Sequence, residues 1–432
     1  MQDFFQRYFQ LDHHRTDVRT ELIAGATTFL SMSYITVVNP AILSDAGMDF
    51  GAVFVATCIA AAVGSLFMGV WANYPIAQAP GMGQNAFFTY GIVLGLGHTW
   101  EAALGAVFVS GIIFVILSVL PVREWLVNAI PKNLKLGISA GIGLFLGFIA
   151  LKNADVVVAN PATLMTFGDM AAPGAIICMA GFALIVALTA RGVTGAVIIG
   201  MLVATVLGLA VGAAEYQGII AAPPSLSPVL FKFDLMAVLD VSMVTVVLTM
   251  LLVDVFDTAG TLVGVSNRAG LTDSDGKLPR LGRALLSDST ATVVGAIAGT
   301  SSTTSYIESA AGVESGGRTG LVAVTAAGLF LLCLFFAPLA QTIPAFATSA
   351  ALLFVACLMA KSLAELDWQD LTESAPAIVC ALGMPLSFSI ADGIGLGFIT
   401  YVAIKVMSGR AAECPAAVYV IGAIFLSKFL FL

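Results

Sequence analysis

Residues Gly299-Thr300-Ser301-Ser302-Thr303-Thr304-Ser305-Tyr306-Ile307-Glu308 place six consecutive hydroxyl side chains, then a carboxylate, inside a chain otherwise built of long apolar segments. Ser and Thr side chains compete for backbone hydrogen bonds and disfavour the middle of a helix. Ser305-x-x-Glu308 has capping-box spacing, so a helix is expected to start there. The stretch predicts an extended segment that stops and a half-helix that begins, both at membrane depth. Irregular backbone survives there only where protein buries it or where it lines a cavity. A carboxylate at the head of such a half-helix marks a polar site; the alternative is that Glu308 only caps its own helix.

The surrounding composition sets the class. Hydrophobic residues make up 59% of the chain and charged residues 10%, with a mean hydropathy of +1.00, which predicts a polytopic membrane protein. The first twenty residues are polar and charged and lead straight into an apolar segment, so no signal peptide is expected. The six cysteines show no paired spacing, which argues against a disulfide framework or a metal site. His13, His14 and His98 all stand outside the middle of apolar spans. Histidine-dependent hydrolysis, haem ligation and an intramembrane histidine–zinc site therefore lack their residues. No cofactor, resident metal or nucleic-acid partner is expected.

Apolar segments of spanning length fall near 21–43, 51–73, 80–97, 101–120, 134–151, 172–190 and 194–213, and again near 240–266, 284–299, 300–316, 320–340, 348–362, 373–389 and 391–407. This reads as an N-terminal segment (1–20), a first repeat (21–213), a connecting loop (214–239), a second repeat (240–408) and a C-terminal apolar helix (409–432) that lies along the surface or crosses once more. With the N-terminus cytoplasmic, fifteen Lys and Arg fall inside, and only Lys152 and Lys232 outside. That asymmetry supports the fourteen-span count. Seven spans per half place the two halves in opposite orientations.

The third span of each half is interrupted. Gln78-Ala79-Pro80-Gly81-Met82-Gly83-Gln84-Asn85 carries a proline and two glycines before Asn85, and its counterpart is the hydroxyl run before Glu308. Paired broken spans at corresponding positions of two halves point to a transporter's midplane site. Asp254 and Asp257, three residues apart, share one helical face. An Asp at the bilayer centre costs about 2.5–3.5 kcal/mol even on the lenient insertion scale, so two on one face point to function. The alternative is a hydrogen-bonded bracket between helices. Asp288, a turn into the next span, is expected nearer the interface. In the first span, Ser31, Ser33, Tyr34 and Thr36 precede Asn39-Pro40, a polar face that borders the cavity or bonds to neighbouring helices.

Gly81-Met-Gly-Gln-Asn85-Ala-Phe-Phe, Asp254-Val-Phe-Asp257-Thr-Ala-Gly-Thr and Gly299-Thr-Ser-Ser-Thr-Thr-Ser-Tyr-Ile-Glu308 together resemble the nucleobase–cation symporters. Within that superfamily of xanthine and uracil permeases, the chain is most similar to the AzgA-like branch of adenine, guanine and hypoxanthine permeases. The resemblance covers nearly the whole chain, in motif order. It implies an all-α fold of fourteen spans, built as two inverted seven-span repeats divided between a core and a gate domain. Short antiparallel strands are implied in spans 3 and 10. It further implies import of a purine nucleobase with protons across the inner (plasma) membrane, powered by the proton gradient, as a monomer or a homodimer. The residues functional in the family's pattern are Asn85, Asp254, Asp257 and Glu308 here. The candidate substrate contacts are Asn85, Asp257, Glu308, Phe256, Thr304 and Gly83, and the candidate proton-coupling carboxylates are Asp254, Asp257, Asp288 and Glu308. Gln84 stands where the family usually has Leu.

Residue chemistry leads the same way. A purine is flat, apolar on its faces and ringed by donors and acceptors. A carboxylate accepts paired N–H bonds from such an edge, an amide offers donor and acceptor to another, and Phe256, Phe87, Phe88 and Tyr306 are candidate stacking faces. Two carboxylates as close as Asp254 and Asp257 do not both ionise easily, so one is expected to hold a proton. An anion transporter of the sulfate-permease type shares the seven-plus-seven plan, but spans 3, 8 and 10 carry no Lys or Arg beside their polar motifs. An intramembrane prenyltransferase or protease lacks a second Asp-rich motif or a suitably placed histidine.

Overall fold

The computed structural model describes residues 2–120, 130–272 and 278–431. Arg123 and Lys277, counted above among the cytoplasmic charges, lie outside the described residues. Helix α1 (Gln2–Tyr8) precedes α2 (Val18–Met32), α3 (Ile35–Ser44) and α4 (Phe50–Phe67). Strand β1 (Gln78–Pro80) and the short α5 (Met82–Ala86) then give way to α6 (Trp100–Val119) and α7 (Lys132–Asn153). A hairpin of β2 (Val157–Asn160) and β3 (Leu164–Phe167) leads to α8 (Pro173–Ala190) and α9 (Ala196–Ala210). The second half runs α10 (Val241–Arg268), α11 (Leu281–Ala298), β4 (Thr303–Ser305), α12 (Ser309–Glu314), α13 (Gly320–Cys333) and α14 (Ala337–Thr342). It closes with α15 (Ala345–Ala360), α16 (Leu371–Ser387), α17 (Ile390–Met407) and α18 (Ala416–Phe431).

Among the described residues, nine helical segments are long and apolar enough to cross a membrane. Helix α11 is not one of them, because Ser287 to Thr292 set Asp288 among four hydroxyls. The helices pack in two groups. Helices α2, α3, α4, α6 and α10 to α13 contact one another in one group; α7 packs on α15 and α16 in the other, with α8, α9, α17 and α18. Each group draws on both halves of the chain.

The N-terminal segment is docked rather than merely leading in. Phe9 and Leu11 are buried against Leu321, and the Tyr8 hydroxyl donates to the Val70 carbonyl at 3.1 Å. At the other end, α18 runs back along α17. Phe425 packs over Gly395, and the Lys428 ammonium meets the Asp392 carboxylate at 2.7 Å.

Two three-residue strands meet between these helices. β1 pairs antiparallel with β4 in the register Gln78↔Ser305, Ala79↔Thr304 and Pro80↔Thr303, and every residue of both strands is buried. The pairing extends outward through Gly81 N–H to Ser302 O (2.8 Å) and Tyr306 N–H to Ala77 O (3.0 Å). Gly299 makes the junction possible. It ends α11 in the left-handed conformation (φ 96°), and a Cβ added there would stand 2.4 Å from Val229 Cβ. Gly299→Ala is expected to cost about 2–4 kcal/mol, combining left-handed strain with overpacking. The check is the melting temperature of the purified protein in detergent, where an unchanged value would contradict this role.

Candidate functional site

The strand pair gathers polar side chains from six elements. Asp288 is its hub, a role its position in the sequence does not suggest. It is fully buried, its Oδ1 accepts from Gln78 Nε2 and Ser305 Oγ (both 2.9 Å), and its Oδ2 accepts from Thr258 Oγ1 (2.7 Å). Three elements, β1, β4 and α10, are thereby tied to α11. Thr304, on β4, turns its hydroxyl to that of Thr258 at 2.9 Å and is itself buried. The expected capping box does not form. Ser305 lies in the strand with its hydroxyl committed to Asp288, and α12 begins at Ser309 with no side-chain cap.

Glu308 is therefore free for other work. Its Oε1 accepts from the Tyr34 hydroxyl at 2.5 Å, across the break between α2 and α3. The remaining first-span polar groups bond to protein. Asn39 Nδ2 donates to Thr57 (2.7 Å) and Thr300 (2.8 Å), while Ser31, Ser33 and Thr36 donate to backbone carbonyls three or four residues earlier.

On α10, one turn separates two different environments. Asp254 is buried, with Oδ1 accepting from Gln84 Nε2 (3.1 Å) and Oδ2 lying 3.0 Å from Thr292 Oγ1. Asp257 is exposed and has no hydrogen bond among the described residues, and Glu308, half-exposed, heads α12, which packs on α10. Ile307, beside Glu308, reaches Gly264 of α10, two turns beyond Asp257, so both carboxylates stand along the contact of α10 with α12. Phe256 is half-buried, with the Lys135 ammonium 5.5 Å from its ring centroid. That cation comes from α7, outside the three spans whose motifs marked the site.

Asn85 is fully buried in α5. Its Oδ1 accepts from Ser301 Oγ, while its Nδ2 has no partner among the described residues. Gln78 Oε1, Gln84 Oε1 and Thr303 Oγ1 are likewise buried without a partner among the described residues, so unspent polar groups gather around the strand pair. Gly83 lets α5 approach α7 closely, since a Cβ there would stand 2.6 Å from Ile142 Cγ2. The large apolar groove of about 520 Å³ lined by Tyr8, Leu66, Phe67, Val70, Trp71 and Arg283 lies elsewhere, and none of the four carboxylates borders it.

The profile of a permease family, that of the xanthine/uracil permeases, matches residues 19–396. The chain belongs to the nucleobase–cation symporter family. It is similar to the adenine permease AdeP of Escherichia coli, with 46% identity over 100% of this chain and 97% of that protein. It is also similar to the guanine/hypoxanthine permease PbuO of Bacillus subtilis, with 44% identity over 96% of this chain and 98% of that one. Among solved structures, the transmembrane domain of the cyanobacterial bicarbonate transporter BicA superposes with a TM-score of 0.65 at 15% identity, covering 87% of this chain and 97% of that one. That likeness establishes the fold alone. This permease is a multi-pass membrane transporter, not an enzyme.

Sequence reasoning missed Tyr34 as the partner of Glu308, and Gln78 and Thr292 as polar links to the carboxylates. Thr258→Val removes one donor to Asp288 and is expected to lower stability by about 1.5–3 kcal/mol, with Thr258→Ser restoring most of it. Thermal unfolding in detergent checks this; equal stability of the three proteins would contradict it.

Proposed function

We propose that this permease imports purine nucleobases by proton symport across the plasma membrane, with its N-terminus cytoplasmic. In this reading, fourteen spans form two inverted repeats, and the two packing groups move against each other around a site between spans 3, 8 and 10. The observation that carries the reading is that the crossed strands are flanked by Asp257 and Glu308, both reached by solvent, and by a buried α5 amide whose Nδ2 has no partner among the described residues. Two carboxylates and an amide suit the N–H groups and ring nitrogens of a purine edge. The names of AdeP and PbuO support the substrate class, since those similar proteins are called adenine and guanine/hypoxanthine permeases.

Asp257 and Glu308 are the proposed substrate contacts, with Asn85 reading a second edge and Phe256 flanking the base. Thr304 and Gly83 shape the site from behind, one through Thr258 and the other through the α5–α7 approach. Protons enter through the buried carboxylates.

Uptake of labelled adenine, guanine and hypoxanthine into proteoliposomes, with each base and with sulfate or bicarbonate as competitor, tests the substrate class. Competition by purines is expected. Uptake displaced by sulfate or bicarbonate and indifferent to purines would contradict it. Glu308→Gln keeps an acceptor for Tyr34 but removes the charge. It is expected to insert normally and weaken purine affinity roughly 10–100-fold, the equivalent of about 1.5–3 kcal/mol for a charged hydrogen bond. Wild-type affinity in that variant would remove Glu308 from the site. Accumulation is expected to collapse with a protonophore and to persist when choline replaces sodium. Accumulation that tracks a clamped sodium gradient would overturn the coupling ion.

A further inference from the structure

Counting hydrogens separates the two buried carboxylates that the symport reading leaves as alternatives. Around Asp288 the count closes without a proton. Thr304 donates to Thr258, Thr258 to Asp288 Oδ2, Ser305 to Asp288 Oδ1, and the two Nε2 hydrogens of Gln78 serve Asp288 Oδ1 and Ser305 Oγ. Every donor has an acceptor, and every acceptor is an ionised oxygen or a hydroxyl.

Around Asp254 it does not close. Thr292 has one hydroxyl hydrogen and two oxygen neighbours, Asp254 Oδ2 at 3.0 Å and the Thr303 carbonyl at 2.9 Å. The carbonyl can only accept. Gly81–Ser302 and Ala77–Tyr306 are the bonded pairs of this register, so Thr303 and Pro80 form a non-bonded pair and the Thr303 carbonyl points away from β1. If Thr292 serves the carbonyl, the contact with Asp254 needs a hydrogen from the carboxyl. Gln84 Nε2 then meets the unprotonated Oδ1, as observed. The other titratable groups acting on Asp254 are Asp288 from α11 and Asp257 on its own helix, both carboxyls.

We propose that Asp254 carries the transported proton, on Oδ2, and that Thr292 is the positioning residue that passes its presence to the crossed strands. Asp288 stays ionised as the tie that holds those strands. When the proton leaves Asp254, its O–H bond breaks and the electron pair stays on the carboxylate. The Thr292 hydroxyl then turns to donate to that carboxylate, and the Thr303 carbonyl of β4 loses its donor. Proton release is thus coupled to the strand leading into Glu308. This assignment rests on the proton-symport reading.

The test uses the full-length protein in proteoliposomes with labelled adenine, guanine and hypoxanthine. Asp254→Asn mimics the protonated side chain, with an amide N–H toward Thr292 and an oxygen toward Gln84. Its base exchange without a gradient is expected to persist and to lose the pH dependence that wild type shows. Accumulation driven by an imposed pH gradient is expected to fall to the level without one. Asp288→Asn turns a donor toward groups that themselves donate, and is expected to lose both exchange and thermal stability. Thr292→Val is expected to alter the pH profile of accumulation and Thr292→Ser to restore it.

Asp254→Asn that still accumulates under the pH gradient, or Asp288→Asn that behaves as wild type, overturns the assignment. Wild type that ignores the gradient overturns proton symport and this assignment with it. Should Asp254→Asn fail to insert, infrared spectra of wild type with isotope-labelled aspartate decide. A protonated-carboxyl band that shifts in Thr292→Val supports the proposal, and absence of such a band overturns it.

Discussion

Two strands of three residues each, paired inside a helical membrane protein, impose the constraint on which the site depends. Away from water, each backbone and side-chain polar group of the pair needs a protein partner. Ser65 on α4 both donates to the Gln78 carbonyl (3.1 Å) and accepts from its N–H (2.9 Å). Tyr306 closes over the Pro80 carbonyl at 2.5 Å. Asp288 gathers Gln78, Ser305 and Thr258, and Thr292 serves Thr303. Satisfying so short a sheet therefore draws α4, α10 and α11 together and brings buried carboxyls to its edge. Polar residues that look extravagant at membrane depth are what allow irregular backbone to exist there.

Much of this was legible from residue types. The hydroxyl run 300–305 announced an extended segment, Pro80 with its glycines announced the partner break, and Asp254 with Asp257 announced a polar helix face. What escaped was partner choice. Ser305-x-x-Glu308 has the spacing of a cap, yet spacing cannot weigh the pull of a carboxylate from another helix, and Asp288 claims the Ser305 hydroxyl instead. Tyr34 and Glu308 are separated by 274 residues, so their bond follows from packing alone. The same holds for Lys135, which reaches the Phe256 ring from α7. Asp254 and Asp257 differ for a related reason. They share a helical face, but α5 and α11 cover only the first.

The likeness to a bicarbonate transporter at 15% identity shows that the scaffold does not choose its cargo. Choice falls to the side chains that the crossed strands hold in place. In the proposed site these are carboxylates and an amide, with the Lys135 ammonium 5.5 Å from the Phe256 ring centroid. Asp257 lies on α10 and Glu308 at the head of α12, both in one packing group, and α7 of the other group reaches α10 at Phe256 and α5 at Gly83. A base held there would touch both groups, the arrangement that alternating access requires.

The most direct measurement is a structure of the full-length permease in lipid with adenine, guanine or hypoxanthine bound. This account predicts the base beside the contact of α10 with α12, its edges within hydrogen-bonding distance of Asp257, Glu308 and Asn85, and Asp288 still holding Gln78, Ser305 and Thr258. A base bound away from all three contacts, with Asn85 still bonded to Ser301 and Glu308 to Tyr34, would contradict it.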